Sequence, residues 1–422
     1  MNDAYDSPSY RVLVLFEVIL FLLVLADGLL PQMQMFLLGG QVLVGSVLVK
    51  PILLIGLVIG CLYRPQLNIS SLPMISWLLC IGFLVAEIAY LIIACDISLI
   101  DILKSYNSYY LLLLAGPAAV EFRNMVSEKT ISRSVIGLFL VCAIIGIAQH
   151  VLNKPLLYTE SSNGAFQVQS WDFFGEVRAF SLFSSGLNFG LFCSLCGALG
   201  VALLRNSPLK GSLLWVLAAI ACYSTLTRVC YVVFACSSAS AFVLTFGKNK
   251  RRGLWHPALY CALGISTLLY GLNSIATGNT GDLGSSISLI DRINEWTYYT
   301  DLITHSTLSH RLLGFGIFQS DKLTQLTPMA IDNLLLGLVL HIGMLGLLLF
   351  GVLMTKMWLY LRHKAITDRQ PFVIAASSMW AALPCAGLFN LDLAPFGVAF
   401  ALVILCRTGN GYDYFIDMKP HR

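Results

Sequence analysis

Apolar runs of about 18 residues or more recur from near the start of the chain to its end, each long enough to cross about 30 Å of hydrocarbon as a helix. A helix satisfies its backbone polar groups internally, and hydrocarbon offers them no other partner. Repeated runs of this length therefore leave few architectures open. Composition agrees. Hydrophobic residues make up 57% of the 422 and charged residues 11%, against about 25% charged in an ordinary soluble domain. Mean hydropathy is +0.79. The sequence predicts an all-α, polytopic membrane protein, with residues 1–422 forming one integral membrane domain.

About twelve spans fit, near 12–30, 38–62, 73–95, 107–121, 132–151, 180–204, 211–227, 229–246, 254–273, 331–355, 371–390 and 392–407. Lys50-Pro51 lies inside the second. There the lysine either snorkels or lines a polar cavity, and the proline kinks the helix. The first run, from about Val12, carries Glu17 and Asp27 with no small-residue cleavage site, so it reads as a retained span.

With these spans, 18 of the 26 basic residues fall in the even-numbered turns and at the termini. The other eight are Lys50, Lys104, Lys154, Arg178, Arg228, Arg292, Arg311 and Lys322. The positive-inside rule then puts both termini in the cytoplasm and two long loops, 152–179 and 274–330, on the outer side. The basic run from Lys248 to Arg252 sits in a short turn between spans, where it anchors orientation and does not make a nucleic-acid site. The twelve cysteines fall in or beside apolar runs and read as packing residues. Cys193-Ser194-Leu195-Cys196 has a zinc-like spacing, but it has no histidine or second cysteine pair near it. No P-loop, GxSxG, HExxH or paired-CxxC signature is present, so soluble-type nucleotide or zinc chemistry has no foothold.

The outer loops hold the chemistry. Loops as long as these are commonly functional. The first contains Trp171-Asp172-Phe173-Phe174 and closes on Glu176-Val177-Arg178. The second contains Leu289, Ile293, Trp296, Tyr299 and Ile303 at helical spacing. That pattern predicts an amphipathic helix from Ser288 to His305 lying on the outer face, with Arg292 and Glu295 on its polar side.

Arg178, Arg228 and Arg292 stand at or near outer span ends, against the inward trend of basic charge. An arginine at a span end is either a snorkelling anchor or, where several converge, a rigid fork of donors for phosphate oxygens. Asp332, at the start of an apolar run, is either an N-cap or a partly desolvated carboxylate able to accept a proton from a sugar hydroxyl. Glu295, His305 and His310 are the alternative bases. Gly337, Gly343, Gly346 and Gly351 read as sites of close helix packing.

Four stretches carry a resemblance. They are Arg178-Ala179-Phe180-Ser181-Leu182-Phe183 followed by Gly190, Thr225-Leu226-Thr227-Arg228, Arg292 and Trp296 with Leu313-Gly314-Phe315-Gly316, and Asp332-Asn333 with Gly343-Met344-Leu345-Gly346. Together, and in this order, they resemble motifs of the O-antigen polymerase and O-antigen ligase superfamily of bacterial membrane glycosyltransferases. The sequence departs from the pattern at two places: Gly186 stands where many members carry proline, and Asp332 stands where ligases place histidine before the asparagine.

The resemblance implies a GT-C-like helical enzyme of the bacterial inner membrane that uses neither metal nor any other cofactor. It implies an undecaprenyl-diphosphate-linked oligosaccharide as substrate, membrane lipid around it, and a flippase and a chain-length regulator as partners. On the matching positions it places Asp332 and Arg292 in catalysis and Arg178 and Arg228 on the diphosphate. Glu295, Trp296, Arg311 and Asn333 support them. The aspartate favours the polymerase branch over the ligase branch. A lipid-linked sugar or polysaccharide transporter is the rival of another class.

Overall fold

A computed structural model describes helical residues scattered between 79 and 93, and then residues 128–156, 172–173, 175–183, 185–248, 253–276, 286–315 and 334–387. Among them the chain is mostly helical, as its apolar runs require. The elements are α1 (Glu128–Val151), a hairpin of β1 (Asp172–Phe173) and β2 (Glu176–Val177), α2 (Gly186–Leu203), α3 (Pro208–Ser224), α4 (Arg228–Phe246), α5 (His256–Ala276), α6 (Ser286–His305), α7 (Leu308–Leu313), α8 (Leu334–Thr367) and α9 (Pro371–Gly387). The predicted spans from 132 to 390 fall on α1 to α5, α8 and α9, whereas those at 12–30, 38–62, 107–121 and 392–407 lie outside the described residues.

Among the described residues, four helices are long and apolar enough to cross a membrane: Thr130–Val151, Gly186–Leu203, Arg228–Phe246 and Leu335–Thr367. Pro208–Ser224 and Pro371–Cys385 are shorter apolar helices.

The centre of the bundle is α2, buried along nearly its whole length, with α1, α3, α4 and α9 packed around it. Because lipid tails are as apolar as leucine, helices in hydrocarbon associate through close backbone approach and van der Waals contact rather than through exclusion of water. The sequence of α2 suits this. A Cβ added to Gly200 would lie 2.9 Å from the Gly211 carbonyl oxygen, and one on Gly211 would lie 2.7 Å from that of Gly200, so α2 and α3 meet backbone to backbone. Facing α4, Ser237 Oγ donates to the Ser194 carbonyl at 3.3 Å. Cys193, Cys196, Cys222 and Cys230 are buried in this core as free thiols. Outward, Val141, Ile144, Leu213, Val216, Phe242 and Leu348 are exposed, a belt of apolar side chains suited to lipid.

The short turns at 204–207 and 225–227 set α3 antiparallel to both α2 and α4. One end of the bundle therefore holds the C-terminus of α1, the hairpin, the α3–α4 turn and the start of α2. The other holds the start of α1, the α2–α3 turn and the α8–α9 turn.

Two helix boundaries and one side-chain orientation differ from expectation. The helix predicted from 180 starts at Gly186, because Ser181 adopts a φ of 54° and the chain turns there. The helix predicted over 331–355 continues to Thr367 and is interrupted at Gly343, whose φ is 68°. The helix predicted at Ser288–His305 is present as α6, but Glu295 is 6% exposed and so does not sit on a water-facing side. Glu295 and Tyr299, one turn apart, form the buried side of α6, while Asn294, Thr297 and Thr300 are exposed. A sequence pattern counts a carboxylate as polar, whereas here packing turns it inward.

Candidate functional site

The segment between α1 and α2 ends in a small, heavily bonded structure that presents Arg178. Asn153, just past α1 and at a φ of 50°, binds the turn and the second strand of the hairpin. Its Nδ2 donates to the Gly175 carbonyl at 2.9 Å, and its Oδ1 accepts from Val177 N–H at 2.7 Å.

One turn back on α1, the fully buried Gln149 holds the residues that follow Arg178. Its Oε1 accepts from Phe180 N–H at 3.1 Å and from Ser181 N–H at 2.7 Å. Its Nε2 donates to the carbonyls of Leu156 at 3.0 Å and Ser181 at 3.2 Å. Ser181 Oγ donates to the Cys142 carbonyl at 2.7 Å. Every polar group of Ser181 is thus engaged, and this network holds its left-handed backbone in place. Such strain in a non-glycine residue persists only where the surroundings over-determine it. Phe183 anchors the far side, with ring centroids 5.8 Å from Phe189 and 5.4 Å from Phe192.

Between these anchors, Ala179 N–H donates to the Ser224 carbonyl at 3.0 Å and ties the arginine segment to the α3–α4 turn. Gly186 fits the same junction. A Cβ there would lie 3.3 Å from the carbonyl oxygens of both Ala179 and Thr225, which gives glycine a packing reason at this position.

The α3–α4 turn brings Arg228 to the first residue of α4. Thr227 is the N-cap, but its side chain makes no capping bond; its hydroxyl donates to the Thr225 carbonyl at 2.9 Å instead. A cation at a helix N-terminus opposes the helix dipole, and an uncapped N-terminus favours an anion. Arg178 lies within electrostatic reach of Arg228 and of Tyr231, one turn further along α4. The Arg178 guanidinium is held below the usual arginine range, first by burial and then by the positive charge of Arg228.

Beside the pair, Tyr231 stacks on Tyr223 with centroids 6.1 Å apart, and its hydroxyl donates to the Tyr223 carbonyl at 2.9 Å. The His150 ring meets Tyr223 edge-on at 6.1 Å. His150 Nδ1 is buried and makes no hydrogen bond.

A second group lies on α6, α7 and α8. Arg292 stands on α6 three residues before Glu295 and four before Trp296. Trp296 is half-buried, and its Nε1 is buried without a hydrogen bond. Arg311 closes α6: its Nε donates to the Ser306 carbonyl at 3.1 Å and its terminal nitrogen to the Thr304 carbonyl. That is a favourable place for a cation at a helix C-terminus. His305 pairs with Asp301 at 3.1 Å in solvent, and His310 stacks on Phe315 at 4.6 Å.

The Leu313-Gly314-Phe315 segment then docks into the break in α8, where Phe315 N–H donates to the Leu340 carbonyl at 2.7 Å. Asp332, Asn333 and Gly316 lie outside the described residues.

The structure therefore unites Arg178 with Arg228, and it unites the 313–315 segment with Gly343. The contributions of Gln149, Asn153, His150 and Tyr231 were not read from the sequence. The available signal was a cluster of polar residues, Gln149, His150 and Asn153, closing an otherwise apolar run. No protein-family model matches the chain, and no curated protein matches it.

Proposed function

We propose that this protein is a polysaccharide repeat-unit polymerase of the bacterial inner membrane, with about twelve spans in a GT-C-like arrangement and both termini in the cytoplasm. It transfers a growing glycan from undecaprenyl diphosphate to a second lipid-linked repeat unit on the outer face. The acceptor hydroxyl attacks the anomeric carbon, the bond to the lipid diphosphate breaks, and the diphosphate leaves with the electron pair. Arg178 and Arg228 bind and neutralise that diphosphate, joined by Arg292 from α6, which is electrostatic stabilisation of developing charge. Asp332 takes the acceptor proton, with Asn333, Glu295, Trp296 and Arg311 as supporting residues.

The observation that carries this reading is the approach of Arg178 to Arg228 at an uncapped helix start. Burial and then the charge of Arg228 both oppose the charge on Arg178, a phosphate anion there would offset both, and guanidinium forks suit phosphate oxygens.

The interruption of α8 at Gly343 favours a second reading, transport of the lipid-linked unit, because broken helices are common in transporters. A gene deletion separates the readings. Loss of a polymerase leaves single repeat units outside and no long chains. Loss of a transporter leaves units facing the cytoplasm, and loss of a ligase leaves long chains stranded on undecaprenyl diphosphate. Long polymer in the deletion strain refutes the polymerase.

A further inference from the structure

At the end of the bundle opposite Arg178 and Arg228, a cavity of about 770 Å³ opens between the start of α1, the α2–α3 turn, α3 and the start of α9. Its polar rim carries Arg133, Lys210 and Arg369, and no carboxylate is among the residues that line it. Its walls are aliphatic, formed among others by Leu140, Leu213 and Leu217. Gln370 also lines the cavity, and its Oε1 is buried without a hydrogen bond. Asp368, just before Arg369, is matched by Lys364 at 3.6 Å, so its charge does not cancel the rim. Arg369 itself is held at a φ of 53° in the tight α8–α9 turn.

We infer that this cavity binds an acidic phospholipid. The headgroup phosphate sits among Arg133, Lys210 and Arg369, the side-chain amide of Gln370 turns its NH₂ to donate to it, and an acyl chain lies along the leucines. The rim alone would suit any phosphate, but the leucine walls would bind nothing on a free anion. Basic pockets between spanning helices hold anionic headgroups in this way. The inference rests on the membrane reading of the helices and not on the polymerase chemistry.

The test uses the full chain in mild detergent, with native mass spectrometry of the adducts formed on adding phosphatidylglycerol or phosphatidylethanolamine of the same acyl composition. Phosphatidylglycerol is retained in preference, and excess inorganic phosphate does not displace it. Removing one rim cation weakens retention about fivefold, and the Arg133→Gln/Lys210→Gln/Arg369→Gln triple variant weakens it roughly a hundredfold. Arg369→Gln alone, in an exposed turn, keeps the test available if the triple variant fails to fold. Arg205→Gln, at the same end but outside the cavity, leaves retention unchanged. Equal retention of the two lipids, displacement by phosphate, retention in the triple variant, or no lipid held at all each overturns the proposal. A chain that needs neither detergent nor lipid to stay in solution would overturn the membrane reading itself.

Discussion

Gly314 and Gly343 lie against each other with both backbones in the left-handed half of conformational space, at φ of 83° and 68°. A Cβ on Gly314 would lie 2.7 Å from the Gly343 nitrogen, and one on Gly343 would lie 2.2 Å from the Leu312 carbonyl oxygen. The helices α6 and α7 are thereby locked to the break in α8.

Alanine at either glycine is expected to unseat the 313–315 segment. The backbone conformation alone costs about 1–3 kcal/mol, and the clash with backbone atoms adds to it. Gly351→Ala, on the same helix with nothing within 4 Å of its Cβ, is the control; it is expected to be neutral or slightly stabilising. Thermal unfolding of the purified variants checks this. Equal melting temperatures for Gly343→Ala and Gly351→Ala would refute the lock.

Gln149→Leu leaves the N–H groups of Phe180 and Ser181 buried without their acceptor. Each orphaned donor costs about 1–3 kcal/mol, so a loss of roughly 2–6 kcal/mol is expected for the two. Polymer formation should fall with stability, since the clamp sets the position of Arg178. Protection of the Ser181 amide from hydrogen exchange is the local readout, and unchanged protection in the variant would exclude the clamp.

The burial of Arg178, with the charge of Arg228 beside it, predicts an anion effect with a defined sign. Arg178 has a folded-state pKa below its unfolded one, so its charged form destabilises the fold at every pH below that pKa. Arginine titrates far above neutrality, so the penalty is flat across pH 5 to 9 and is relieved by an anion rather than by pH. Pyrophosphate should raise the melting temperature of the wild type and leave that of Arg178→Ala unmoved. Arg178→Lys should lose activity nearly as fully as Arg178→Ala, because lysine offers a point charge without the fork. A lysine variant with wild-type polymerisation would refute bidentate binding.

Asp332→Asn separates a base from a cap. Asparagine caps a helix about as well as aspartate but cannot take a proton. In a reconstituted assay with lipid-linked units, the proposed role predicts a variant that folds normally and polymerises at least a hundredfold more slowly, the low end of general-base effects being about that size. A wild-type rate would leave Asp332 as a cap and move the search to Glu295, which packing buries, to the solvent-exposed His305 or to His310.

Much of this protein is determined by its sequence alone. Runs of apolar residues dictate helices wherever the structure describes them, because period and length are local properties that no partner has to supply. Arg178 and Arg228 also stand out in the sequence alone, as cations beside apolar runs. Tertiary structure alone decided which helices are neighbours, and with that which residues share a site. Gln149 reads as one polar residue ending an apolar run until the chain folds Phe180 and Ser181 onto its amide. Glu295 reads as a surface charge until packing turns it inward. Gly314 and Gly343 read as two unrelated glycines until close approach leaves room for neither Cβ. Hydropathy encodes only whether a segment prefers hydrocarbon. Contacts between distant segments depend on the shapes that meet there, and those shapes exist only in the folded chain.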